Sequence, residues 1–177
     1  MERDHVDECL VRCEGIPNLD LETEGIVERI QGLDKRFRRT MDETLEEHDL
    51  TSGEWRVLGI LRRAEGHAST PGELSAQLEL SSGAMTNRLD QLEQGGLIRR
   101  LPMPGDRRGV RIELTDAGDQ AWIESTSTQA VKEALVAGAL TRDERRQLNT
   151  LLRKLMLEFD RSSGAPEPVG AAAAPVG

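Results

Sequence analysis

Apolar residues along the 177-residue chain recur mostly with a period near 3.6, broken once by a stretch with a period of two. Between positions 26 and 45, Ile26, Ile30, Leu33, Phe37, Met41 and Leu45 fall every three or four residues, which predicts one long amphipathic helix. Beyond Thr141 the same spacing returns in Leu148, Leu151, Leu152, Leu155, Met156 and Phe159. Another long helix is expected over 116–140, marked by Ala121, Trp122, Val131, Ala134 and Leu135, with Gly138 near its end. Three helix starts are signalled by a threonine three residues before a glutamate: Thr51 with Glu54, Thr70 with Glu73 and Thr141 with Glu144. Each pair can satisfy reciprocally two backbone N–H groups that the first turn leaves free. Pro71 falls at a first helical position, where its missing N–H costs nothing.

The exception to the helical period lies at 97–101 and 110–114. Val110, Ile112 and Leu114 alternate with Arg111 and Glu113, and the intervening Pro102-Met-Pro-Gly-Asp-Arg-Arg-Gly109 is rich in turn residues, so a hairpin is expected. The expected fold is therefore mainly α with a small β-hairpin wing. Its order is an acidic N-terminal segment, a long helix, three short helices, the hairpin and two long helices. Around the turn at 79–81, Leu74, Leu78 and Leu80 pack one short helix against the next. Ser81 or Ser82 caps that second helix, and Met85, Leu89 and Leu92 point inward. Its other face then carries Ser82, Gly83, Thr86, Asn87 and Arg88, the pattern of a helix-turn-helix followed by a wing.

Composition supports helices over a sandwich of sheets. Aromatics make up only 2% (Phe37, Trp55, Trp122 and Phe159, with no Tyr), so the core has to come from Leu, Ile, Val, Ala and Met. The net charge of −9 argues against a surface that clings to nucleic acid throughout. Its distribution alters that inference. Residues 1–50 alone carry −8, whereas 81–111 holds Arg88, Arg99, Arg100, Arg107, Arg108 and Arg111 against Asp90, Glu93 and Asp106, a local +3.

Those residue types suit DNA. Asn and Arg match base edges with paired donors and acceptors, and small Ser, Gly and Thr let a backbone approach phosphates. An ordinary polar helix face would look similar, and the hairpin tips the balance toward DNA. Its tip projects adjacent Arg107 and Arg108, and arginine enters a narrow, strongly negative minor groove. Asp106 repels phosphate, so its expected role is to pair with Arg108 and orient it. The DNA-binding set is thus Ser81, Ser82, Thr86, Asn87, Arg88, Arg107 and Arg108.

The run TPGELSAQLELSSGAMTNRLDQLEQGGLIRRLPMPGDRRGVRIELTDAG resembles the winged helix-turn-helix of the MarR family of bacterial regulators, continuously from about Leu50 to Gly118 and including the wing signature Asp106-x-Arg108. The resemblance implies a homodimer whose terminal helices interlock, two winged modules on a pseudo-palindromic double-stranded DNA operator, and release by a small ligand or by cysteine oxidation. It also divides the chain into an extra N-terminal helix (1–18), a dimerisation helix (19–49), the winged module (50–115), C-terminal dimerisation helices (116–161) and a disordered tail (162–177). The tail has almost no charge and no large apolar anchor.

The segment DHVDECLVRCEGIPNLDLE and the phrase SSGAMTNRLDQLE are similar to the urate-responsive HucR/PecS-type branch of that family. Two departures bear on the ligand. Where that branch has a Trp about five residues before a Pro, this chain has Arg12 with Cys13 beside it. Where it has an Asp after the aromatic residue, Gly53-Glu54-Trp55 is followed by Arg56. A ligand pocket lined by Arg12, Cys13, Trp55 and Arg56 suits an anionic effector other than urate, such as a carboxylate or phenolic metabolite.

His5, Cys9 and Cys13 stand at i, i+4 and i+8 on one helical stripe. Packing as small apolar residues is the simplest reading. A thiol switch at Cys9 and Cys13 is the alternative function on the same scaffold, and a metal site would need further ligands. A disulfide within the helix is disfavoured, because Cβ atoms four residues apart lie about 5–6 Å from each other and a disulfide wants roughly 3.5–4.5 Å, which leaves open a bridge between subunits or one formed after local unwinding. His48 and His67 have no recognisable partners and read as solvated loop residues. No Ser/His/Asp set, phosphate loop, paired-His motif or nucleotide fingerprint is visible, so the expectation is a non-enzyme without cofactor or metal. No apolar run approaches the roughly 18–20 residues that span a bilayer, so a cytoplasmic location is expected.

Overall fold

The structure, a computed structural model, describes residues 3–103 and 106–163; the side chains of 106–108 and 163 are outside the description. Helices α1 (His5–Arg12), α2 (Leu21–Glu47) and α3 (Ser52–Arg63) are followed by β1 (Ala68–Ser69) and the short helices α4 (Pro71–Leu78) and α5 (Ser82–Gln94). Strands β2 (Ile98–Met103) and β3 (Asp106–Leu114) then lead into α6 (Asp116–Ala137) and α7 (Arg142–Ser163). The chain divides into two units, residues 1–132 and 133–177, with the boundary inside α6.

All three threonine–glutamate boxes form. Thr51 and Glu54 exchange hydrogen bonds at 3.3 and 2.8 Å, Thr70 and Glu73 at 3.2 and 2.9 Å, and Thr141 and Glu144 at 3.3 and 2.7 Å. Two starts not anticipated use aspartate. Asp4 and Asp7 make a capping box for α1, and Asp20 caps α2, which therefore begins five residues before its first periodic apolar side chain.

In the first unit the core is aliphatic. Leu45, Val57, Leu58, Leu61, Leu74, Leu78, Met85, Leu89, Leu92, Ile98, Ile112 and Leu114 are buried together. The turn between α4 and α5 passes through Glu79 in the left-handed region (φ 53°), which lets the Leu80 N–H reach the Ser75 carbonyl and reverse the chain in three residues. Ser81 is the cap of α5, its hydroxyl accepting from the Ala84 N–H. The three antiparallel strands are ordered β1-β3-β2. Arg100 lies opposite Ile112, and the register shifts between Pro102 and Met103. The hairpin is longer than its alternation indicates, because backbone pairing continues into the proline-rich stretch as far as Met103 and Asp106. Strand β1 is two residues long, too short for any alternation to announce it.

Helix α1 lies on α2. Val6 is buried, and Leu10 rests against Gly25, where a Cβ would stand 3.2 Å from Leu10 Cδ1. Arg29 on α2 donates to both Asp4 oxygens at 3.0 and 3.1 Å and to Asp7 at 2.6 Å, so the α1 capping box is also its clamp. In the second unit, α7 exposes Leu148, Leu151, Leu152, Leu155, Met156 and Phe159.

Candidate nucleic-acid interface and adjoining cavity

Helix α5 separates its faces as the sequence pattern requires: Met85, Leu89 and Leu92 are buried, while Ser82, Gly83, Thr86 and Asn87 are exposed. The Thr86 hydroxyl is turned back onto the Ser82 carbonyl (2.9 Å). Arg88 behaves differently from its neighbours. Its guanidinium lies flat over Gly53 in the first turn of α3, so close that a Cβ at Gly53 would overlap it. The backbone of Asp106, Arg107 and Arg108 runs in β3, and their side chains, including the proposed Asp106–Arg108 pairing, lie outside the described residues, as do Pro104 and Gly105.

The basic window is less uniform than its count. Arg99 forms a two-pronged pair with Glu113 at 3.0 and 3.2 Å, which holds the Glu113 carboxyl below its ordinary range. Arg100 is bound by Glu93 at 2.6 Å and Asp90 at 2.7 Å. Arg111 reaches the Gly66 carbonyl at 3.5 Å. Among the described arginines of the window, Arg99 and Arg100 are thus paired with carboxylates inside the module.

Beside this interface, a cavity of about 340 Å³ is lined by Trp55, Arg56, Gly59, Ile60 and Arg63 of α3, Gln77 and Leu78 of α4, and Trp122 of α6. Trp55 and Trp122 stack with centroids 5.9 Å apart and planes 14° from parallel. Trp55 Nε1 donates to Thr126 Oγ1 (3.2 Å), whereas the buried Trp122 Nε1 has no hydrogen-bond partner among the described residues. Gly59 makes room for that indole, since a Cβ there would stand 2.8 Å from Nε1. On the other side Arg62 sits 4.9 Å from the Trp122 ring centroid and donates to Asp119 at 2.7 Å. Of the pocket expected from sequence, Trp55 and Arg56 line this cavity. Arg12, exposed at the end of α1, and Cys13, its C-cap, do not. Arg63, Gln77 and Trp122 were missed, because a pocket that joins three helices leaves no local spacing to read.

Cys9 is exposed and Cys13 partly so, which does not agree with Cys9 packing as a core residue. Among the described residues no group of three or more His, Cys, Asp or Glu is placed to hold a metal. Both remaining histidines have partners, contrary to expectation. His48 Nε2 meets Thr128 Oγ1 at 3.0 Å, and His67 Nδ1 meets the Arg62 carbonyl at 3.0 Å. The first joins α2 to α6 beside a buried network in which Thr44 donates to Gln129 (2.9 Å) and Lys132 reaches Thr44 and Glu47 (2.8 and 2.9 Å). Helix capping and tertiary packing, neither visible in the flanking sequence, supply these partners.

A sequence model of the MarR family matches residues 50–110. The multiple antibiotic resistance protein MarR of Escherichia coli is 35% identical over 130 residues, covering 72% of this chain and 88% of the relative. The transcriptional regulator PecS of Dickeya dadantii is 29% identical over 140 residues, covering 78% and 84%. A crystal structure of a cysteine-to-serine variant of E. coli MarR complexed with operator DNA is similar at a TM-score of 0.57 and 32% identity, over 76% of this chain and 95% of that one. These relatives are regulators of transcription, not enzymes. Among the described residues no helix is long and apolar enough to cross a membrane.

Proposed function

The chain belongs to the MarR family of winged helix-turn-helix DNA-binding transcriptional regulators, and on that premise we propose that it represses transcription as a homodimer on a pseudo-palindromic operator and is released by a small anionic ligand. The observation that carries this reading is the division of α5 into a buried aliphatic face and an exposed face of Ser82, Thr86 and Asn87, next to a hairpin whose β3 backbone carries Arg107 and Arg108. The N-terminal turns of such a helix fit a major groove about 12 Å wide. A homodimer places two copies about one helical turn apart, roughly 34–36 Å, on one face of the duplex. The basis for repression over activation is a relative 30% identical over 127 residues, the transcriptional repressor MdtR of Bacillus subtilis.

Helix α1 ahead of the long helix supports placing the chain near the PecS-type branch, and Arg56 and Arg63 together in the cavity favour an anion. The stacked indoles favour an aromatic one, and the unpartnered Trp122 Nε1 offers a donor to its polar group. A cation in place of the branch's carboxylate argues against urate as the effector. Release follows if the ligand binds the spacing of the two modules that does not fit the operator more tightly than the one that does. The thiol alternative is less supported: Cys9 and Cys13 keep i,i+4 spacing at the end of α1, which disfavours a disulfide within one chain.

The test is a gel shift with a duplex enriched from a randomised pool by the wild-type protein. Arg108→Ala is expected to abolish the shift while the dimer persists on size exclusion. Survival of binding with an unchanged salt dependence overturns the wing's role.

A further inference from the structure

Arg100 counts among the six arginines of the basic window, but its guanidinium is committed elsewhere. Nη1 donates to Glu93 (2.6 Å), Nη2 pairs with Asp90 (2.7 Å), and the Arg100 backbone N–H reaches the second Glu93 oxygen at 3.0 Å. Asp90 and Glu93 are one turn apart on α5, just beyond Thr86 and Asn87. Arg100 lies in β2 opposite Ile112, on the hairpin that leads to the wing tip. The Arg100 side chain is 29% exposed, the more buried partner in both pairs.

The apolar contact between these elements, through Leu89, Leu92 and Ile98, is non-directional and fixes distance better than rotation. A guanidinium fork on two carboxylates is directional. We propose that Arg100 is a positioning residue for DNA reading: through Asp90 and Glu93 it fixes the setting of the recognition helix relative to the wing, so that both reach their grooves in register. The proposal rests on the operator-binding reading above.

It makes an unusual sign prediction. By simple Coulomb repulsion, removing two carboxylates from a DNA-binding module strengthens its binding to any duplex. If they hold Arg100 in place, their removal weakens binding to the specific site. Base-edge contacts demand close placement, whereas phosphate contacts tolerate a small rotation.

Binding is measured by fluorescence anisotropy across a salt series, well below the unfolding midpoint, with the duplex enriched by wild-type protein and a scrambled duplex of equal length. Arg100→Met and the double variant Asp90→Ala, Glu93→Ala are each expected to lose about tenfold or more on the enriched duplex. Affinity for the scrambled duplex and the salt slope should be no lower than wild type. Glu93→Gln, which keeps an oxygen for the Arg100 N–H, is expected to fall in the same direction and serves if the larger changes prevent folding. A slope reduced by about one for Arg100→Met identifies a direct phosphate contact and overturns the proposal. Binding of the enriched duplex by the acidic-residue variants as tightly as wild type also overturns it. A wild-type protein that enriches no sequence refutes the operator reading itself, a result distinct from either.

Discussion

At the residue scale, two glycines show how the same added methyl meets opposite surroundings. At Gly118, in the first turn of α6, a Cβ would run into the Leu97 carbonyl oxygen and stand 2.8 Å from Leu114 Cδ1. Backbone there cannot yield, so Gly118→Ala is expected to destabilise by about 1–3 kcal/mol through overpacking. At Gly53 the obstructing atoms belong to the free end of the Arg88 side chain. The arm can swing away, and the helix propensity gained by alanine offsets part of the cost. Gly53→Ala is therefore expected to stay within about 1 kcal/mol of wild type in urea denaturation. Equal losses at the two sites would show that the Arg88 seat is as rigid as backbone. Trp122 belongs to this scale as well: stacked on Trp55 and covered by Arg62, it holds an indole N–H out of water with no acceptor. A buried donor in that condition is costly, and an acceptor on the proposed effector that reached it would relieve that cost.

At the element scale, α1 depends on one cation. Eight residues form a marginal helix in isolation, and the burial of Val6 with the Arg29 clamp supplies what propensity does not. Arg29→Ala is expected to free α1, read as a several-fold faster cleavage after Glu8 by a glutamate-specific protease; an unchanged rate removes the clamp from the account. The same contacts give a pH dependence. Hydrogen bonds from the Asp7 backbone N–H and then from Arg29 hold the Asp4 carboxyl below its ordinary value of 3.8. A carboxylate lowered in the folded state contributes fully above its unfolded value, and that contribution is lost as pH falls through the folded one. The Val6 methyl resonances should therefore hold their positions from pH 8 to 5 and move toward unfolded values only below about pH 4. Movement between pH 5 and 8 would assign the docking to other groups. Exposed, these pairs are also expected to weaken in salt.

For the whole molecule, the proposed homodimer finds its candidate interface in the exposed apolar stripes. In α2, Ile26, Val27, Ile30, Leu33 and Phe37 remain 39–49% exposed, and α7 leaves Leu151, Leu152, Leu155 and Phe159 38–69% exposed. Each stripe is more apolar surface than a monomer usually leaves open, and in the proposed homodimer a second copy covers it symmetrically. Because Leu155 is exposed within its own chain, Leu155→Asp is expected to leave the helix content unchanged while converting a dimer to a monomer on size exclusion. Operator affinity should fall with it. A dimer that survives Leu155→Asp places the interface elsewhere. The charge distribution fits such dependence on two-fold docking. With Arg99 and Arg100 held by carboxylates, the winged module has less free positive charge than its count of arginines indicates.

Much of this arrangement was legible in the chain because its signals are local. Periodicity placed α2, α6 and α7, threonine–glutamate spacing placed the starts of α3, α4 and α7, and alternation placed the hairpin, since each depends on neighbours within one or two turns. The separation of the α5 faces follows from the same rule. Partnership between distant residues has no such local trace. Only the folded arrangement joins Arg100 to Asp90 and Glu93, stows Arg88 over Gly53, gives His48 a hydroxyl on α6, and gathers Arg63, Gln77 and Trp122 beside Trp55 and Arg56. An arginine's charge is fixed by its identity, but whether it meets DNA or a carboxylate is fixed by what packing brings within about 3 Å of it.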